Sequence, residues 1–300
     1  MNKLPLQTRV QILSMLCEGS SMRSISRVAD VSINTVSKLL VDAGKFCADL
    51  HDREVRNVTS KHIQCDEIWS FVGAKAKNVS TMKQAVEGAD DVWTWTALDS
   101  DSKLIVSWLV GGRDGESALA FMDDVKDRLA NRAQLTTDGH RPYLNAVEEA
   151  FGAMLVKQYD EPESNKSPER RYSPAVCTGA VKTRVEGNPD REHVSTSHIE
   201  CANLTMRMAN RRFTRLNNAF SKKFDNHVHM VAIYTVWCNF IKMHKTLKMT
   251  PAMAAGVSQT HWSMEDLCEK MDAVAPKPGK RGPYKSAWLK IQTETLPAAQ

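Results

Sequence analysis

Residues 61–72 read KHIQCDEIWSFV. The β-branched and aromatic side chains of this run favour an extended strand. Two acids, Asp66 and Glu67, interrupt its middle among Ile63, Cys65, Ile68 and Trp69. Successive side chains of a strand point to opposite faces, so the two acids cannot share a surface. A carboxylate at Asp66, among apolar neighbours, calls for a cation. Glu67 falls on the other face, where an orienting or surface acid is expected.

Outward from this strand the pattern continues. VWTWTAL at 92–98 and LIVSWLV at 104–110 read as two more strands, joined by the turn-forming DSDSK at 99–103. An amphipathic helix is expected over 115–130, a short strand over 134–137 ending on Asp138-Gly139, a helix over 143–151 and a fifth strand over 154–158. Three antiparallel strands, then helix, strand, helix and strand, is the order of the ribonuclease H-like fold. The expected class is therefore α/β, with a ribonuclease H-like core over 61–256. Polar residues 160–194, which include Pro162, Pro168, Pro174 and Pro189, predict a surface insertion. Helices are expected over 195–213 and 225–243. Pro251 is expected to close the compact part, leaving 257–300 as a C-terminal segment with a flexible basic tail.

Before the strands lies a helical stretch. Helices are predicted over 6–17 and 22–28 and from Ile33 onward, with Ser32 as N-cap. The run RSISRVADVSINTVSKLL follows the helix-turn-helix pattern, which makes residues 1–55 an all-α DNA-binding domain by expectation. Asn34, Thr35 and Lys38 would then face the major groove or its phosphates.

Composition narrows the class. A chain of 300 residues, 42% hydrophobic and 25% charged, suits an ordinary globular protein of two domains, or of one larger domain with an appended module. The opening MNKLPLQTRV holds no apolar run, so no secretory leader is expected, and no apolar stretch is long enough to span a membrane. Seven scattered cysteines without a C-x-x-C pair argue against a disulfide scaffold or zinc ribbon and for a reducing, cytoplasmic setting. Residues 201–250 carry nine Lys or Arg against one acid, Asp225, and 274–292 carry five bases and no acid. Such local excess suits a polyphosphate backbone; Arg207, Arg211, Arg215, Lys222 and Lys223 are the candidate contacts.

Three acids stand out by position. Asp66 lies in mid-strand, and Asp138 ends the fourth strand, which neighbours the first in this fold. Glu200 sits on a helix where, at about 100° per residue, Glu200, Asn203, Arg207 and Arg211 share a quarter of the circumference. Ile199, Ala202, Met206, Ala209 and Phe213 form a separate stripe expected to pack on the sheet. Asp66, Asp138 and Glu200 are thus the candidate catalytic residues and metal ligands. Mg²⁺, with Mn²⁺ as substitute, is the expected cofactor, because hard cations prefer carboxylate oxygen. His140, His198 and His244 are expected to make structural or phosphate contacts.

Four stretches, CDEIWSFVGAKAKN, LTTDGHRPYLNAVEEAFG, HIECANLTMRMANRRFTRLNNAFSKK and NFIKMHKTLKMTPAMAAG, resemble the transposases of the first-described family of bacterial insertion sequences. The resemblance covers roughly residues 60–256. It implies an acidic-triad transposase that binds element ends and target duplex, cleaves and joins DNA strands with divalent metal, and assembles as a homo-oligomer. Cys201 stands where the family often has arginine, and the N-terminal zinc motif of its best-known members is absent. The tail PGKRGPYK resembles a minor-groove hook, although Gly282-Pro283 follows Arg281 where a hook would continue Arg-Pro. Two alternatives are a transposase-derived DNA-binding regulator without catalysis and a ribonuclease H-like nuclease.

Overall fold

The strands are β1 (His62–Val72), β2 (Asp90–Asp99), β3 (Ile105–Gly111), β4 (Gln134–Thr137), β5 (Met154–Gln158) and β6 (Val181–Glu186). They form one sheet in the order β3-β2-β1-β4-β5-β6. The first three are mutually antiparallel, β4 and β5 run parallel to β1, and β6 returns antiparallel to β5. The computed structural model describes residues 3–81, 88–137, 154–158, 181–186, 190–214 and 219–275. The helix expected over 143–151 and the basic tail from residue 276 lie outside these. The six free cysteines among the described residues include Cys201 at the surface.

One sequence expectation fails at β6. The stretch assigned to a surface insertion over 160–194 contributes a strand, Val181–Glu186, to the sheet. Its sequence VKTRVE does alternate Val181, Thr183 and Val185 with charged residues, but the run is short and lies in a polar, proline-bearing stretch, and an edge position tolerates such polarity. By contrast, the hairpin between β2 and β3 forms where expected. Asp99, buried, accepts from Ser60 Oγ at 2.6 Å and from the Ser102 amide at 2.9 Å, and Lys103 takes a left-handed φ of 63° to close the turn.

The helices are α1 (Leu6–Cys17), α2 (Met22–Val28), α3 (Ile33–Glu54), α4 (Ala76–Val79), α5 (Gly115–Arg128), α6 (Ser197–Ala209), α7 (Phe224–Val236), α8 (Pro251–Ala254) and α9 (Met264–Val274). Ser21 and Ser32 cap α2 and α3 by accepting from the amides of Ser24 and Thr35, each at 3.1 Å. α3 buries Val36, Leu39, Leu40, Ala43, Cys47 and Leu50, the spacing of one helical stripe. That stripe packs on α7. At the crossing a Cβ on Gly44 would sit 2.2 Å from His229 Cβ, so only glycine permits the approach. At the far end of α3, buried Arg128 of α5 donates to Asp52 at 2.9 Å and to the Val55 carbonyl at 3.2 Å. The N-terminal helices are therefore packed against the sheet's helices along the length of α3.

The packed part also reaches beyond Pro251. α9 buries Met264, Leu267 and Cys268, and Arg9 of α1 forks onto Asp272 at 2.6 and 2.7 Å. Two long helices predicted by periodicity end early. α6 stops at Ala209, because Asn210 leaves helical backbone (φ −111°, ψ 106°) and its side chain accepts from the Arg212 amide, opening a 3-10 turn at Arg211–Phe213. α7 gives way to a π turn at Trp237–Ile241. There buried Asn239 bonds both the N–H and the carbonyl of Ile105, at 3.0 and 2.9 Å, and so covers the edge of β3 with polar partners. Among the described residues, no helix is long and apolar enough to cross a membrane.

Candidate acidic active site

The site begins with the pleat of β1. Asp66 lies opposite Thr96 of β2, and Glu67 opposite Trp95. Trp95 meets Phe121 of α5 with ring centroids 5.8 Å apart, so α5 covers the Glu67 face. α6 covers the Asp66 face. Two residues along a strand span about 6.6 Å, close to the roughly 5.4 Å pitch of a helix. Gln64 and Asp66 can therefore each hold one turn of α6.

Both do so. Buried Gln64 accepts from the amides of His198 and Ile199 through Oε1, at 3.1 and 3.0 Å, which satisfies the first-turn donors that a capping side chain would otherwise take. One turn on, Asn203 Nδ2 donates to Asp66 Oδ2 at 2.8 Å, while Thr96 Oγ1 donates to Asn203 Oδ1 at 3.0 Å. Asp66 Oδ1 accepts from the Glu67 amide at 2.8 Å. Asn203 is 2% exposed, so its amide is locked with both ends used. It fixes the orientation of the half-buried Asp66 carboxylate.

Glu200 precedes Asn203 by three residues, about 4.5 Å along the helix axis. Its side chain is exposed, and its Oε1 accepts from Thr196 Oγ1 at 2.5 Å. The third acid, Asp138, lies outside the described residues; Thr137, directly before it, pairs with Cys65 in the β1–β4 register. Among the described residues no three His, Cys, Asp or Glu side chains group closely enough to hold a metal. Asp66 and Glu200 supply the hard oxygen donors that Mg²⁺ prefers. His198, at the surface two residues before Glu200, is held below the usual imidazole range by partial burial and by Lys103, so it is neutral at pH 7.

Glu67 is not a surface acid. Its side chain is 1% exposed and pairs with Arg113 at 3.2 Å, and the Arg113 guanidinium stacks 4.5 Å from the Trp93 ring centre. The expected faces of α6 are also corrected. Ile199, Met206 and Phe213 are buried as expected, but Asn203 turns inward with them instead of joining a basic face. Arg211 lies past the break at Asn210, off the helix expected to present it.

The candidate phosphate contacts divide. Asn34, Arg211 and Lys222 line one cleft between α2–α3 and the Arg211–Phe213 turn. Thr35 shares a hydrogen bond with Ser32 Oγ at 2.9 Å, and exposed Lys38 pairs with Asp42 at 3.1 Å. Arg207 is half-buried on α6 and Lys223 is exposed before α7; Arg215 lies outside the described residues. His244 is half-buried, and His140 lies outside the described residues. Sequence reasoning missed the roles of Gln64, Thr96 and Asn203. The signal was available for two of them: Gln64 shares the Asp66 face by strand period, and Asn203 follows Glu200 by one turn.

No protein-family model matches the chain, and none of the curated proteins does. Among solved structures, a cryo-EM structure of the piggyBac transposase synaptic complex with hairpin DNA is similar over 97% of this chain and 75% of that one. The identity is 9% and the TM-score 0.35, a likeness too slight to carry any conclusion about activity.

Proposed function

We propose that the chain is a metal-dependent DNA transposase, with Asp66, Asp138 and Glu200 as its catalytic acids. The observation that carries this reading is the Asp66–Asn203 bond. A carboxylate in mid-strand is gripped by a helix that bears a second carboxylate one turn away. The strand order β3-β2-β1-β4-β5 supports a ribonuclease H-like core, and the capped α2–α3 pair supports a helix-turn-helix reader of element ends. Asp66, Asp138 and Glu200 would hold Mg²⁺ or Mn²⁺. When bound, a pair of such ions neutralises charge on the attacking and leaving oxygens of an in-line displacement. Asn203 keeps the Asp66 carboxylate aimed, and the surrounding lysines and arginines take flanking phosphates. Because two element ends must meet, the working form is a homo-oligomer.

Labelled duplex carrying the DNA that flanks the gene, incubated with the protein and Mg²⁺, tests this reading. Nicking at a 3′ end and joined products are expected. Asp66→Asn, Asp138→Asn and Glu200→Gln should each retain DNA binding and lose both products. Binding without any cleavage by the wild type would instead mark a DNA-binding regulator, and cleavage confined to RNA–DNA hybrids a nuclease.

A further inference from the structure

The cleft between α2–α3 and the Arg211–Phe213 turn has a volume of about 840 Å³, and four of its lining residues are cations: Arg23, Arg211, Arg212 and Lys222. Among the described residues no acid lines it. Its two walls come from segments about 180 residues apart in sequence, yet they are tied together. Gly19, in the α1–α2 turn at φ 73°, lies so close to the end of α6 that a Cβ there would sit 2.9 Å from the Met208 carbonyl oxygen. Across the cleft, Arg212 Nη2 reaches Met22 Sδ at 3.7 Å.

Arg212 is the unusual member. Its Nη1 donates to Ser221 Oγ at 2.9 Å, so both of these hydrogen-bond acceptors are neutral. Burial pushes its pKa down to about 10, leaving it charged at neutral pH but short of water. The adjacent His227, fully buried, is driven down to about 3 by burial and by the Arg212 charge, so it stays neutral beside that charge. A half-buried cation opposite neutral groups is favoured by an anion that completes it. Asn34 and Ser37, on the first turns of α3, face the same cleft and offer neutral donors beside the cations.

We propose that this cleft is a phosphate-binding site for the backbone of one DNA strand, centred on Arg212 and flanked by Arg23, Arg211 and Lys222. The N-terminal helices and the sheet domain thereby grip a single backbone between them. Asn34 contacts that backbone inside the cleft and does not read base edges in an open groove. This rests on the transposase reading only in taking DNA as the ligand; the anion site follows from the cleft itself.

The test measures binding of fluorescein-labelled duplex, taken from the DNA flanking the gene, to the full-length protein across a salt series. Removing one cation from the phosphate backbone should reduce the slope of log affinity against log salt by about 0.9. The surface variant Arg23→Ala/Lys222→Ala is expected to bind about ten-fold more weakly, with a slope shallower by about 2. Arg212→Met should weaken binding more than Arg212→Lys, with melting temperature recorded for both. If Arg212→Met fails to fold, the surface double variant alone decides. Wild-type binding with unchanged affinity and slope in the double variant overturns the cleft and leaves the transposase reading intact. Absence of any duplex binding by the wild type overturns the DNA reading as a whole. If inorganic phosphate binds the wild type and not the double variant, yet does not displace the duplex, the cleft is a small-anion site and the backbone assignment fails.

Discussion

Asp66 and Glu67 are neighbours in the chain, yet they sit in different chemical surroundings. Glu67 points under α5, 1% exposed, against the guanidinium of Arg113. Asp66 points to the opposite face, half-buried, with its oxygens held by the Asn203 amide and the Glu67 N–H. A paired and buried carboxylate serves the fold, because its partner has already matched its charge. A carboxylate gripped by an amide is held in one orientation, which is what the proposed role as a cation ligand would use. The difference arises from strand period alone: a slip of one residue in β1 would exchange the two acids.

The largest expected effect falls on Asp66. Asp66→Asn should lower Mg²⁺-dependent nicking by about three orders of magnitude, corresponding to the several kcal/mol a metal contributes at the transition state. Its melting temperature should change little. Gel assays of nicked product beside thermal unfolding would break the comparison if activity survives. Asn203→Ala comes next, with a loss of about 10- to 100-fold in nicking, typical of removing a residue that orients a metal ligand. Because Asn203 acts through Asp66, the Mg²⁺ concentration needed for half-maximal nicking should rise, and Asn203→Gln should not restore it.

The effect of Arg113→Ala should appear in stability. It strands the Glu67 charge under α5, and about 2 kcal/mol should be lost in denaturant unfolding, less than for a wholly buried pair because Arg113 is partly exposed. Glu67→Gln should cost least, about 1 kcal/mol, since the released Arg113 can turn to water. Nicking per folded molecule should be unchanged in both. A catalytic defect in Glu67→Gln with normal stability would reverse the roles assigned to the two acids.

Much of this was legible in the residues. The alternation in KHIQCDEIWSFV separates the two acids, and the serines before α2 and α3 mark both helix starts. What was hidden depended on tertiary partners. Asn203 looks like one more polar residue on an exposed face until Thr96 and Asp66 are seen to occupy both ends of its amide. The break at Asn210 is invisible to periodicity because Phe213 continues the apolar stripe across it. β6 escaped notice because its short alternating run lies within a polar, proline-bearing stretch, and the docking of α9 on α1 involves Arg9 and Asp272, which are 263 residues apart. Local pattern thus located the acids; long-range hydrogen bonds determine how each of them is held.

The most direct test is to titrate Mg²⁺ into the wild-type protein bound to labelled duplex from the DNA flanking its gene, and to map the ends produced. Nicks at one defined 3′ end that appear with Mg²⁺ and vanish with EDTA are predicted. Duplex that stays bound and intact at every Mg²⁺ concentration would contradict the assignment of Asp66 and Glu200 to metal-dependent strand cleavage.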